Sequence, residues 1–368
     1  MNVENRINVT RSSMPSWEEY VEKIKILWDN RWLSNRGVIH KEFEEKLKER
    51  MKVDYLSLFA NGHVALEVAI DAMQFPKGSE VITTPYTHCS TTHSIVRNGL
   101  IPVFCDVNDV DYTIDVSLIE KNINEKTVAI VATHVYGVLC DVESIQKIAD
   151  KHGLKVIYDA AHAFGVTKDG VDAANFGDIA MFSCHATKVF HTIEGGITVF
   201  RDPSVHEKLE SLINFGFNGP EHVQYVSTNA RMNEYEAAMG VCNLRHFDEE
   251  VAKRKIAADR YDERLSGIKG IHMIAPQKGV TRNYAYYSVF FDGYKYNRNE
   301  IQEKLSKQNI FARKYFYPII PELECYQSMF QGIEMPVAKH ASDTVLALPM
   351  YADLTVEDVD RICDIILK

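Results

Sequence analysis

A chain of 368 residues, 46% hydrophobic and 25% charged, is long enough for a large core and predicts two domains. The formal net charge of −10, with no basic run to offset it, argues against a nucleic-acid binder working by counterion release. No stretch approaches bilayer-spanning length and the first residues lack a hydrophobic signal region, so the expected location is the cytoplasm. Seven cysteines without a C-x-x-C pair predict free thiols, and the 14 histidines form no H-E-x-x-H or similar set, so no metal is expected.

Residues 1–15 are polar and irregular and predict an arm. Tyr20, Val21, Ile24, Leu27 and Trp28 recur at helical spacing over 17–32. The run Leu33-Ser34-Asn35-Arg36-Gly37 breaks that pattern, and a second helix passes through Phe43 and Leu47. A strand over 54–59 ends in Ala60-Asn61-Gly62-His63 and leads into a helix over 64–73. The free N–H groups and dipole at such a helix start suit a phosphate.

Strands over 80–84, 101–106, 127–133 and 155–159 alternate with helices over 89–98, 116–122 and 142–151, which predicts a mostly parallel sheet with helices on both faces. Ligands in such sheets bind off the carboxyl ends of the strands. Gly62, Pro85-Tyr86-Thr87-His88, His134, Asp159 and Lys188 all fall there. Beyond Gly196 come helices over 205–214 and 233–260 or further, strands over 285–291 and 311–313, and helices over 298–308 and 356–367. The pattern predicts a large three-layer α/β/α domain over 1–250 and a smaller α+β domain over 251–368.

Lys188 lies five residues after Ser183, between short apolar strands over 179–182 and 197–200, with Gly195-Gly196 behind it. A cation in an apolar, small-residue loop is costly to desolvate. Burial lowers its pKa, and a neutral amine can attack a carbonyl to form a Schiff base. For a lysine taken alone, a solvated loop position is the commoner state. Two Schiff-base chemistries are open: direct attack on a carbonyl substrate, as in class I aldolases, or attachment of pyridoxal phosphate.

The second requires a carboxylate facing the pyridine nitrogen. Asp159, ending a buried strand, fits, although a strand-end aspartate also serves as a helix N-cap. It requires a stacking ring, with His88 the candidate and Tyr86 the competitor. It also requires phosphate donors, which the backbone of Gly62 and His63 and the hydroxyl of Ser183 supply.

Five segments carry a family resemblance: Asn61-Gly62-His63, Thr84-Pro85-Tyr86-Thr87-His88, Asp159-Ala160-Ala161-His162-Ala163-Phe164-Gly165, Ser183-Cys184-His185-Ala186-Thr187-Lys188 and Asn229-Ala230-Arg231-Met232. They resemble the nucleotide-sugar aminotransferases of the DegT/StrS type, pyridoxal-phosphate enzymes of the aspartate aminotransferase fold (fold type I). The likeness runs from residues 32–35 to 346–350, and the lysine loop is similar to that of the subgroup acting on dTDP-linked 6-deoxy keto-sugars. It implies transfer of an amino group from L-glutamate to dTDP-4-keto-6-deoxy-D-glucose, giving dTDP-4-amino-4,6-dideoxy-D-glucose for a surface polysaccharide such as O-antigen. The 3-keto isomer is the alternative substrate, and a non-catalytic pyridoxal-binding regulator the alternative class.

Position by position, the resemblance implies that Lys188 forms the Schiff base and shuttles the proton. Asp159 pairs with the pyridine nitrogen, His88 stacks on the ring, and His162 reaches the ring hydroxyl. Ser183, Gly62 and His63 hold the phosphate. Asn229 reaches the phosphate of the neighbouring subunit, which makes the enzyme a homodimer with shared sites. Tyr315 and Tyr317, with Arg231, Arg313 and Lys314, are the substrate-side candidates, since a sugar nucleotide offers a base to stack on and a pyrophosphate to pair with cations. His63 stands where a threonine is usual and His162 where a glutamine is common. Relatives with histidine in place of the lysine perform dehydration, a reading that Lys188 opposes.

Overall fold

The computed structural model describes residues 6–368; the first five residues of the expected arm lie outside the described residues. Seven strands form the central sheet in the spatial order Tyr55–Phe59, Gly196–Phe200, Ile179–Ser183, Lys155–Asp159, Thr127–Thr133, Glu80–Thr83, Ile101–Phe104. Gly196–Phe200 runs antiparallel to both of its neighbours, and the remaining pairs are parallel.

Both faces of this sheet are covered, which explains why its strands read as continuous apolar runs. Leu56, Leu58, Ile82, Ile130, Val156, Tyr158 and Phe182 feed one core, and their alternating neighbours Phe59, Val81, Val131, Ile157 and Met181 feed the other. Each fully buried aliphatic or aromatic side chain contributes about 1.5–3 kcal/mol. No helix among the described residues is long and apolar enough to cross a membrane.

The α/β reading holds, and most element bounds differ from the expected ones by one or two residues. The first expected helix is broken into Trp17–Ile24 and Ile26–Asn30, and the second piece ends on Arg31 in the left-handed region. Part of the arm is not irregular. Ile7–Asn8 adds as a parallel strand to Ile310–Phe311, and the Val9 carbonyl accepts the Met350 N–H at 3.0 Å. Further along, the Ser12 hydroxyl donates to the Ala186 carbonyl at 2.7 Å, and His191 Nε2 donates to the Ser13 carbonyl at 2.5 Å. The arm therefore fastens the lysine loop to the C-terminal part of the chain.

The long helix Glu234–Leu265 starts in a capping box between Asn233 and Glu236. Ala237, Val241 and Phe247 join the sheet's core; Ala257, Tyr261 and Leu265 join a second core with Val289, Leu305, Leu346 and Ile362. That second core covers the antiparallel sheet Ile271–Met273, Tyr287–Phe291, Val345–Leu348. Its flanking strands are too short to leave a periodic trace in the sequence, and the sequence reading passed over the helix Pro336–Thr344.

Glu234 is fully buried and caps a different helix, Val38–Met51, by accepting the N–H groups of Ile39 (2.8 Å) and His40 (3.3 Å). The N-cap there is Gly37, where a Cβ would stand 2.7 Å from the Glu234 carboxyl carbon. Only glycine lets the two helices share that carboxylate.

Candidate active site

Strands Ile179–Ser183 and Gly196–Phe200 pair in antiparallel register, Ser183 opposite Gly196, and carry the lysine loop between them. Backbone bonds from Cys184 N–H to Gly195 O (2.8 Å) and from Thr192 N–H to Cys184 O (2.9 Å) fix the loop without using the Lys188 side chain. Lys188 itself is half-buried. Burial pulls its amine from 10.5 down to about 8, and the Asp159 charge opposes that pull without cancelling it.

Asp159 ends its strand on the same face as Ile157, buried, with two donors on its carboxylate. Thr91 Oγ1 donates to Oδ2 at 2.6 Å and the Ala161 N–H donates to Oδ1 at 3.1 Å. Behind Thr91 lies a buried relay of hydroxyls, Thr133 to Thr87 (3.0 Å) and Thr87 to Thr91 (2.9 Å). Sequence reading passed over these threonines. The available signal was the four-residue spacing of Thr87 and Thr91 across the start of a helix next to the expected stacking histidine.

His88 is the N-cap of Cys89–Arg97; its Nδ1 accepts the Ser90 N–H at 3.2 Å. Its ring is exposed and edge-on to Phe316, with centroids 6.3 Å apart. Desolvation first, then the Lys188 charge, lower its pKa, with Asp159 opposing. Tyr86, the competing ring, is fully buried.

Facing these groups, Gly62–Ala72 begins beside Ser183. A Cβ on Gly62 would stand 2.8 Å from Ser183 Cβ and 3.0 Å from its Oγ. Val64 and Ala65 N–H groups return to Asn61 at 2.9 and 3.1 Å. The N–H groups of Gly62 and His63 are the ones a helix start leaves over for an anion. The strand ends have thus assembled an amine, a carboxylate, a ring and an anion cradle. The family model for DegT/DnrJ/EryC1/StrS aminotransferases matches residues 16–367.

The chain belongs to this aminotransferase family. The dTDP-4-amino-4,6-dideoxy-D-glucose transaminases of Shigella dysenteriae and Escherichia coli are 40% and 39% identical to it, each match spanning 98% of both chains. The crystal structure of DesI in the presence of its TDP-sugar product superposes with a TM-score of 0.93 at 30% identity, covering 98% of this chain and 92% of that one. The family and fold expected from the motifs are those found.

The aminotransferase cleft is completed by groups from the C-terminal part of the chain. Lys188, Ser183, His162, Asn283 and Tyr286 line it together. His162 is buried, and its Nδ1 accepts the Tyr136 N–H at 3.1 Å, so the neutral ring carries its proton on Nε2. Burial first, then the Lys188 charge, hold its pKa well below 6.5. Phe316 lies parallel to the ring, with centroids 5.8 Å apart.

The His63 imidazole is held sideways, with Nδ1 at 2.8 Å from Ser90 Oγ and Nε2 at 3.6 Å from the Glu67 carboxylate. Tyr315 stands near Lys188, and the two groups act on each other electrostatically. Tyr317 is exposed beneath the Arg298 guanidinium, 4.2 Å from the ring centroid, and Arg313 is exposed where its backbone pairs with Ala347.

Three sequence candidates do not join this cleft within one chain. His134 follows the Thr127–Thr133 strand at the correct edge, but its ring stacks on Tyr158 at 4.5 Å inside the core, where burial takes its pKa to about 3. Arg231 bridges Phe59 and Asn229 bridges Asn214, and the two side chains are joined by a 2.9 Å bond from Arg231 Nε to Asn229 Oδ1. Arg231 faces a separate cavity of about 260 Å³ with Asn35, Arg36, His40 and Glu210.

Proposed function

We propose that the protein transfers the amino group of L-glutamate to C4 of dTDP-4-keto-6-deoxy-D-glucose, giving dTDP-4-amino-4,6-dideoxy-D-glucose, with pyridoxal 5′-phosphate as cofactor. The observation that carries the class is an amine drawn down to about 8 by burial, close enough to a buried, doubly hydrogen-bonded carboxylate for the Asp159 charge to act on it. The names of the two transaminase relatives reported above support the substrate.

The residues present fit the cofactor. The leftover N–H groups of Gly62 and His63 and the Ser183 hydroxyl suit its phosphate, Asp159 its pyridinium nitrogen, His88 its face and the Nε2–H of His162 its ring hydroxyl. When bound, pyridoxal phosphate supplies an electron sink for moving an amino group between carbon atoms. Lys188 takes and returns the proton at its Nζ. Asp159 keeps its charge pointed at the ring through Thr91 and Ala161. Tyr315, Tyr317, Arg313 and Lys314 form the sugar-nucleotide side.

Asn229, which does not line the cleft of its own lysine, reaches the phosphate of a second subunit in a homodimer, and Arg231 is a cation for the sugar-nucleotide side. Exposed Trp17, Trp28, Trp32 and Leu33 supply the apolar surface such a contact needs.

Only the unprotonated amine attacks an aldehyde, so uptake of pyridoxal phosphate by cofactor-free protein accelerates as pH rises, along a titration centred at about 8. Stopped-flow absorbance checks this; a midpoint at the ordinary 10.5 means a solvated lysine and overturns the buried-amine reading. The substrate is tested by supplying glutamate with the 4-keto and 3-keto sugar nucleotides and identifying the amino sugar by NMR. A 4-amino product is expected. A 3-amino product alone reassigns the carbon and keeps the reaction class.

A further inference from the structure

We propose that Tyr136 is a positioning residue for the sugar-nucleotide side of the cleft: its backbone N–H orients His162 while its hydroxyl holds the Tyr315 segment over Lys188. This rests on the aminotransferase reading above and adds a residue that the reading does not use. Tyr136 follows the Thr127–Thr133 strand with φ 58° and ψ 10°. A residue bearing a Cβ enters this left-handed region at a cost, and stays there where its surroundings hold it.

Three contacts do so. The Tyr136 N–H donates to His162 Nδ1 at 3.1 Å, its hydroxyl donates to the Tyr315 carbonyl, and the Tyr86 hydroxyl lies 2.5 Å from its own. A carbonyl only accepts, so the direction is fixed: Tyr86 O–H donates to Tyr136, and Tyr136 O–H donates to Tyr315. Both tyrosines are buried, which leaves the pair no water to exchange with.

The ring contributes as well. It lies parallel to Phe316 (10° between planes, centroids 6.1 Å apart), and Phe316 lies parallel to His162 (3°, 5.8 Å). One turn of the parallel sheet thus fixes the cofactor-side imidazole and, from the other end of the sequence, the segment bearing Tyr315. Packing alone does not require the hydroxyl, since phenylalanine has the same ring.

Tyr136→Phe keeps the ring and the N–H to His162 and deletes the grip on Tyr315. The expected result is a Kd for dTDP-4-keto-6-deoxy-D-glucose, by calorimetry on loaded protein, weakened about tenfold, with KM following and kcat within about threefold. In a Tyr315→Phe background, which keeps the gripped carbonyl but removes the phenol hydroxyl that the grip aims at substrate, the same substitution is expected to change Kd less than about twofold. An unchanged Kd, or the same tenfold loss in both backgrounds, overturns the proposal. So does a parallel loss of pyridoxal phosphate affinity, which marks general loosening.

Should Tyr136→Phe not fold, Tyr86→Phe removes the hydroxyl behind it, and a Kd weakened about threefold is expected; no change overturns the proposal. Parent protein that transaminates neither keto-sugar overturns the functional reading instead, so the two failures are distinct.

Discussion

Replacing Lys188 with alanine lowers turnover by on the order of 10⁴-fold or more while the protein keeps its fold and its oligomeric state. The fold persists because the loop is held by Cys184, Gly195 and Thr192 backbone bonds and by Ser12 on Ala186, none of which involves the lysine side chain. Turnover collapses because no neighbour can take over. Asp159 is tied by Thr91 and Ala161, and His162, with its pKa far below 6.5, is a weak base. Initial rates alongside a thermal melt check both halves. Turnover within tenfold of the parent would assign the proton transfer to another group.

Asp159→Asn is expected to weaken pyridoxal phosphate binding by about two to three orders of magnitude, with a matching fall in turnover. An amide occupies the same space, accepts the Ala161 N–H on its oxygen and turns its NH2 as a donor to Thr91 Oγ1, so the main loss is the charge opposite a buried pyridinium. Breaking one partner of a buried ion pair costs about 3–5 kcal/mol. Thr91→Val separates charge from orientation. It leaves the carboxylate in place but removes the 2.6 Å donor that aims it, and about tenfold weaker binding is expected. Equilibrium dialysis with the cofactor measures both. Equal losses in the two variants would mean that Asp159 acts through geometry and not through charge.

Much of the site was legible because it sits in contiguous motifs at strand ends. Gly62, Asp159, Ser183 and Lys188 each follow a short apolar run, and a parallel sheet with both faces covered brings such ends to one edge. Strand-end position does not reveal which way a side chain turns. Asp159 ends one strand and His134 follows the end of the adjacent one, yet the His134 ring lies against Tyr158 in the core while the Asp159 carboxylate acts on Lys188.

The supporting shell was hidden for a different reason. Thr133, Thr87 and Thr91 come from a strand end, a turn and a helix, and Tyr136 meets Tyr315 across 179 positions of sequence. Local periodicity carries no trace of such meetings. The Ile7–Asn8 strand was missed because two residues have no period, and its partner lies near the opposite end of the chain.

That pairing bears on how the enzyme comes off the ribosome. Ile7 cannot find Ile310, nor Val9 find Met350, until more than 300 further residues have been made. Residues 7–9 are thus made long before their partners and settle after contacts of shorter span have formed. The contacts of Ser12 and Ser13 with Ala186 and His191 need nothing beyond residue 191, so a nascent chain halted before residue 310 holds the arm at the loop bearing the reactive amine but leaves its outer strand unpaired.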